Sequence, residues 1–249
     1  MKQRHLACFG SRLVRRILPT SGALFAGFTA LFTHAASAEI VSAKFDDPTT
    51  RYAHGVLGDA IEWGTLEIRV SDGKRLRLVL PEDRVFEDLE PRLADVDNDG
   101  DNEVMVVESS QSGGARLSIY DENGLVTATP HIGRTNRWLA PIGAADLDGD
   151  GHVEVAYIDR PHLAKTLRVW RFEKGALTEV ASKPGLTNHR IGDDFIIGGI
   201  RTCDATPEMI TVDANWQTII ASTYNGQTIE SKSIEGFSSK ALDQAMKCK

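Results

Sequence analysis

The chain has 249 residues, 41% apolar and 25% charged, with 22 Gly and 9 Pro, which fits a folded globular chain and excludes disordered and collagen-like ones. Its formal charge of -7 hides a split: residues 1–38 hold five of the 28 basic side chains and none of the 35 acidic ones, leaving -12 on the rest. Phosphate contacts and counterion release need a basic face, so nucleic-acid and anionic-membrane partners are excluded first.

In chain order, residues 1–38 read as a signal peptide. Arg12, Arg15 and Arg16 form a basic region, Ile17 to Phe32 an apolar stretch, and Ala36-Ser37-Ala38 a small-residue cleavage pattern. The mature chain is predicted to begin at Glu39, in the periplasm or outside the cell. Pro19 and Gly22 interrupt an apolar stretch already short of the about 20 residues of a bilayer span, so no stable membrane anchor is predicted; a retained anchor is the alternative. Cys8 leaves with the signal. Cys203 and Cys248, 45 residues apart in an oxidising compartment, are predicted to pair, which the loop-entropy model values at about 3–4 kcal/mol; two separate buried thiols are the alternative.

The remainder is repetitive. Leu66 to Leu78, Leu117 to Val126, Leu167 to Leu177 and Thr218 to Ile229 each read as strand, turn, strand. Their turn glycines, Gly73, Gly124, Gly175 and Gly226, are 51 residues apart. Three of the turn dipeptides, Asp72-Gly73, Asn123-Gly124 and Asn225-Gly226, favour a tight hairpin because both central residues can take positive φ.

A second feature keeps the same period. DVDNDGDNE at Asp95 to Glu103 and DLDGDGHVE at Asp146 to Glu154 each precede a β-branched, apolar run and follow Leu93-Ala94 and Ile142 to Ala145 respectively, so each is a loop between strands. Carboxylates at positions 1, 3 and 5 with Gly at 6 suit a hard cation that takes six to eight oxygens. A helical EF-hand would need Glu at position 12, where Val106 and Tyr157 stand instead. The alternative is an acidic Asp/Gly turn with no ion.

These two stretches resemble the FG-GAP or VCBS-type repeats of integrin-like β-propellers, whose calcium loops read DxDxDGxxD, with Glu here in place of the last Asp. The resemblance implies two Ca2+ sites. Asp95, Asp97, Asp99 and Glu103 would ligate through side chains and Asp101 through its carbonyl; Asp146, Asp148, Asp150 and Glu154 would do the same, with His152 offering its carbonyl. An imidazole zinc site at His152 is the alternative, disfavoured by the all-oxygen donor set. The equivalent stretch of the first unit, Lys44 to Pro48, and that of the last, around Cys203, are degenerate, so a disulfide is expected in the last unit where an ion stands in the middle two.

Four units of 51 residues account for 204 of the 211 residues after position 38. The expected fold is all-β, a small β-propeller of four blades at about 39–88, 89–139, 140–190 and 191–235, with a tail at 236–249 in which Ala241, Leu242, Ala245 and Met246 suit one short helix. An open arc of blades completed by dimerisation is the alternative. Arg134, Arg137, Trp138, His189 and Arg190 lie in segments expected to meet on one face, as a site for an acidic ligand or as salt bridges to Glu87, Asp88, Asp193 and Asp194. His54 could pair with Asp59 or Glu62 as a base, but no nucleophile elbow, phosphate loop or HExxH accompanies it. The favoured function is an exported, calcium-rigidified module that binds a protein or glycan, as monomer or dimer; the alternative is a small hydrolase or lyase.

Overall fold

The computed structural model describes residues 38–249; the predicted signal peptide lies outside the described residues apart from Ala38. The fold is all-β with one short helix, and every strand pairing is antiparallel. The first unit comprises β1 (Ile40–Thr49), β2 (Glu62–Val70) and β3 (Arg75–Val79), and the short β4 (Arg84–Phe86) links it to the second through the pair Trp63 and Phe86. The second contains β5 (Arg92–Ala94), β6 (Glu103–Ser110), β7 (Gly114–Asp121) and β8 (Gly124–Ala128). The third is a four-stranded sheet of β9 (Leu139–Ala145), β10 (Glu154–Asp159), β11 (Thr166–Glu173) and β12 (Ala176–Pro184). The fourth has β13 (Leu186–Thr187), β14 (Gly199–Thr202), β15 (Pro207–Asp213), β16 (Thr218–Tyr224) and β17 (Ile229–Gly236), followed by α1 (Ser239–Met246).

The central strands are apolar without interruption because both of their faces are covered. On β6, Val104 and Val106 pack with Leu66, Ile68 and Phe86 of the first unit, while Met105 and Val107 pack with Val155, Tyr157 and Trp170 of the third. On β10 the neighbours alternate in the same way, Ala156 and Ile158 meeting Met209, Tyr224 and Ile229 of the fourth unit. This is the period-2 alternation of a strand, here serving two cores at once.

The ends of the array differ. On the fourth unit, Ile210, Val212, Ile219 and Ala221 are covered by Ala241, Leu242 and Ala245 of α1, whose first turn is capped by Ser238 Oγ accepting from the Ala241 N–H at 3.1 Å. The first unit carries ion pairs instead, Lys44 with Glu67 at 2.8 Å and Arg77 with Asp47 at 2.7 Å. Its Lys44 to Pro48 stretch, expected as a degenerate loop, lies within β1, paired along its length with β2. The first unit thus has three strands of its own.

All four hairpin glycines have positive φ, at 92°, 134°, 76° and 84° in order. Of the turn dipeptides, both residues are positive only at Lys174-Gly175, the one whose sequence favoured it least. At the others an Asx side chain closes the turn: Asp72 Oδ1 accepts from the Lys74 N–H at 2.8 Å, Asp121 Oδ1 from the Gly124 N–H at 2.8 Å and Asn225 Oδ1 from the Thr228 N–H at 2.9 Å.

Candidate functional site

The loops joining β5 to β6 and β9 to β10 fold by one set of hydrogen bonds. The first carboxylate receives the N–H of the position-6 glycine, Asp95 Oδ2 from Gly100 at 3.1 Å and Asp146 Oδ2 from Gly151 at 2.9 Å. The third residue holds the fifth, the fifth holds the seventh, and the last carboxylate reaches back to position 2: Glu103 Oε2 accepts from Val96 N–H at 2.8 Å and Glu154 Oε2 from Leu147 N–H at 2.9 Å. Positions 4 and 6 are left-handed in both, with φ of 61° at Asn98 and 97° at Gly100, and 79° at Gly149 and 90° at Gly151. Asn98 Nδ2 also donates to Gly151 O at 2.8 Å, joining the loops.

Each loop gathers acids. Oxygens of Asp95, Asp97 and Asp99 lie within 4.8 Å of one another, as do those of Asp146, Asp148 and Glu154. In the first loop, each of Asp95, Asp97, Asp99 and Glu103 uses one oxygen to fold the backbone. Asp95 Oδ1 is buried with no hydrogen-bond partner, and among the described residues no cationic side chain pairs with these four acids. Beside them is a cavity of about 260 Å³ also lined by Asp101, Asp121 and Glu122; Lys174 on its wall is engaged by Glu173 at 2.7 Å. Burial pushes the Glu103 carboxyl up to about 7, with repulsion from Asp97, Asp101 and Asp99 adding to it. The orphaned Asp95 oxygen and the crowding of Asp95, Asp97, Asp99 and Glu103 fit a divalent, oxygen-seeking cation.

The second loop is neutralised from within the chain. Arg171 on β11 faces Glu154 across the sheet and contacts Glu154 Oε1 at 2.6 Å, Asp148 Oδ2 at 2.7 Å and Asp150 Oδ2 at 2.7 Å. Burial raises the Glu154 carboxyl, but the Leu147 N–H and Arg171 oppose that rise. His152 Nδ1 lies 3.1 Å from Asp150 Oδ1. At the corresponding loop of the fourth unit, between β14 and β15, Cys203 is joined to Cys248 in a disulfide.

The segments expected on one face do meet in part. Trp138 and His189 are 4.9 Å apart between ring centroids and both are buried, and Trp138 Nε1 donates to Glu87 O at 2.9 Å. Arg190 instead covers the Trp216 ring at 4.1 Å, while Arg134 and Arg137 turn their carbonyls towards Gly114. Of the acids proposed to receive these arginines, Glu87 pairs with His54 and Asp88 with Arg92 at 2.7 Å.

His54 pairs with neither Asp59, which accepts from Ile61 N–H at 2.8 Å in its own turn, nor Glu62. Its Nδ1 is 2.5 Å from Oε1 of the fully buried Glu87, whose other oxygen accepts from Ser109 Oγ. His189 Nε2 donates to Asp193 O at 3.0 Å, so its Nδ1 accepts from His162 Nε2 at 3.0 Å, leaving His162 Nδ1 as a lone pair. Burial pushes His162 down to about 4, keeping it neutral. His54, Trp138, Arg160 and His162 line a cavity of about 170 Å³. The pairing of Glu87 with His54, and His162 altogether, escaped the sequence reading; an acid 33 positions from its histidine leaves no motif.

Residues 95–157, which span both acidic loops, match the family model of the FG-GAP-like repeat. The chain therefore carries an FG-GAP-like repeat at the residues where the sequence resemblance lay. No curated protein matches the chain.

Proposed function

We propose that the chain is exported under the direction of residues 1–38 and acts as a calcium-rigidified, β-propeller-like module that binds a protein or glycan partner. The observation that carries this reading is the first acidic loop: four carboxylates that each spend one oxygen on the backbone and keep another, including the buried, unpartnered Asp95 Oδ1. Asp95, Asp97, Asp99 and Glu103 would hold the ion with their side chains and Asp101 with its carbonyl. Calcium there supplies the positive charge that Asp95, Asp97, Asp99 and Glu103 lack.

The four units are best read as an arc of packed blades capped by α1 rather than as a ring. Two features support the arc: α1 covers the outer face of the fourth unit, and charged pairs occupy that of the first. Among the described residues, the first and fourth units meet only at their loops, where Gly192 N–H donates to Val56 O at 3.1 Å, and share no sheet. The test of the metal reading is thermal unfolding of the protein in calcium and in excess chelator. A ligand bound to the native state alone raises Tm by linkage, so a clear upward shift in calcium is expected, and equal Tm values would refute the reading.

A second reading, a small hydrolase or lyase, is favoured by the His54–Glu87 pair at the edge of a cavity. It requires turnover of chromogenic ester or glycoside substrates that disappears in His54→Ala without loss of folding. Turnover that survives that substitution removes the His54–Glu87 pair as the site, and absence of turnover in the unaltered protein counts against the reading.

A further inference from the structure

We propose that the second acidic loop, Asp146–Glu154, takes no calcium because the Arg171 guanidinium is its built-in cation, so that the protein holds one ion. This rests on the calcium reading of the first loop.

The loops have the same backbone but different oxygen accounts. In the second, each carboxylate oxygen has a donor. Asp146 Oδ1 accepts from Gly149 N–H and Oδ2 from Gly151 N–H; Asp148 Oδ1 accepts from Asp150 N–H, Asp150 Oδ1 from His152 N–H and Glu154 Oε2 from Leu147 N–H. The three oxygens left, on Asp148, Asp150 and Glu154, are those that Arg171 contacts through Nη2, Nη1 and Nε at 2.6–2.7 Å. A guanidinium offers its N–H groups in a rigid planar fork and never releases its charge, so it is a fixed cation matched to three acceptors. An ion that needs six to eight oxygens would have to displace it and then sit beside the displaced charge.

Among the described residues, no arginine or lysine plays this part for Asp95, Asp97, Asp99 and Glu103 of the first loop. One step beyond the Val104 and Tyr120 pair, strand register sets Asp121 opposite Glu103, whereas Glu154 faces Arg171. Where one loop meets a further acid, the other meets an arginine.

The test is equilibrium dialysis against Ca2+, with melting in chelator as an independent readout. One bound ion is expected for the unaltered protein, none for Asp97→Asn, one for Asp148→Asn, and two for Arg171→Gln. Two ions in the unaltered protein, falling to one in Asp148→Asn, would overturn the proposal. No ion at all would refute the calcium reading of the first loop and leave the Arg171 lock to the second readout. In chelator, Arg171→Gln is expected to lower Tm by about 10 °C, with recovery on adding calcium, because it strands buried acids without a partner; an unchanged Tm would overturn the lock. Should Arg171→Gln fail to fold, Asp148→Asn still decides the stoichiometry.

Discussion

The loops Asp95–Glu103 and Asp146–Glu154 share a motif, a hydrogen-bond pattern and two left-handed positions, yet one is left with unneutralised acids and the other is closed by Arg171. The acidic motif governs the path of the chain, because its oxygens are first of all acceptors for the loop's own N–H groups. In the proposed reading, the residue across the sheet decides what cation completes the loop. The fourth unit extends the comparison: at the same place in the repeat it holds a disulfide.

The comparison can be broken most forcefully at the last carboxylate. Glu154→Ala is expected to cost about 3–5 kcal/mol, equally in calcium and in chelator, since it removes a fully buried partner of Arg171. Glu103→Ala should instead abolish the stabilisation that calcium confers. Urea unfolding of both variants in both buffers measures the contrast, and a calcium-sensitive cost for Glu154→Ala would mean that the two loops are equivalent after all.

Cys203→Ser should cost about 3–4 kcal/mol through the 45-residue loop it opens, with no rescue by calcium, read from the same unfolding curves. Away from the loops, Glu62 is 2% exposed, and burial, helped by Glu87, Asp59 and Asp88, pushes its carboxyl from 4.5 up to about 9. The native state therefore keeps a proton that the unfolded chain releases, and this contribution makes stability fall as pH rises from 4.5 to 9. Glu62→Gln should gain several kcal/mol at pH 8 and nothing near pH 4 by urea unfolding. A gain that is the same at both pH values would assign the pH dependence to other groups, the loop acids among them. The smallest effect expected is that of Ser238→Ala, about 1 kcal/mol from the lost cap of the helix that carries the chain to Cys248, seen as a lower urea midpoint.

Much of this was legible in the sequence. The hairpin glycines and the strand-flanked acidic loops follow from local chemistry repeated at a fixed interval, the disulfide from there being two cysteines after residue 38, and the short helix from the apolar spacing of the tail. The role of Arg171 does not, because it depends on strand register: the Ser110–Gly114 turn and the longer Asp159–Thr166 turn put different residues opposite the two glutamates. β4 was hidden for a related reason. Its three residues pair with β2 on one side and β6 on the other, and so short a strand has no periodicity to read. His54 and Glu87 are brought together by tertiary packing alone.

The bond from Asn98 to Gly151 O links one repeat's loop to the next through a side-chain amide and a backbone carbonyl. In proteins built of repeats, stability is carried between neighbours by such interface terms. Calcium held by the second unit would then prolong the closed lifetime of a loop it never touches. The amides of residues 149–152 should exchange with solvent deuterium more slowly when the ion is present, so that the third unit, though it carries its own arginine, borrows kinetic persistence from the repeat before it.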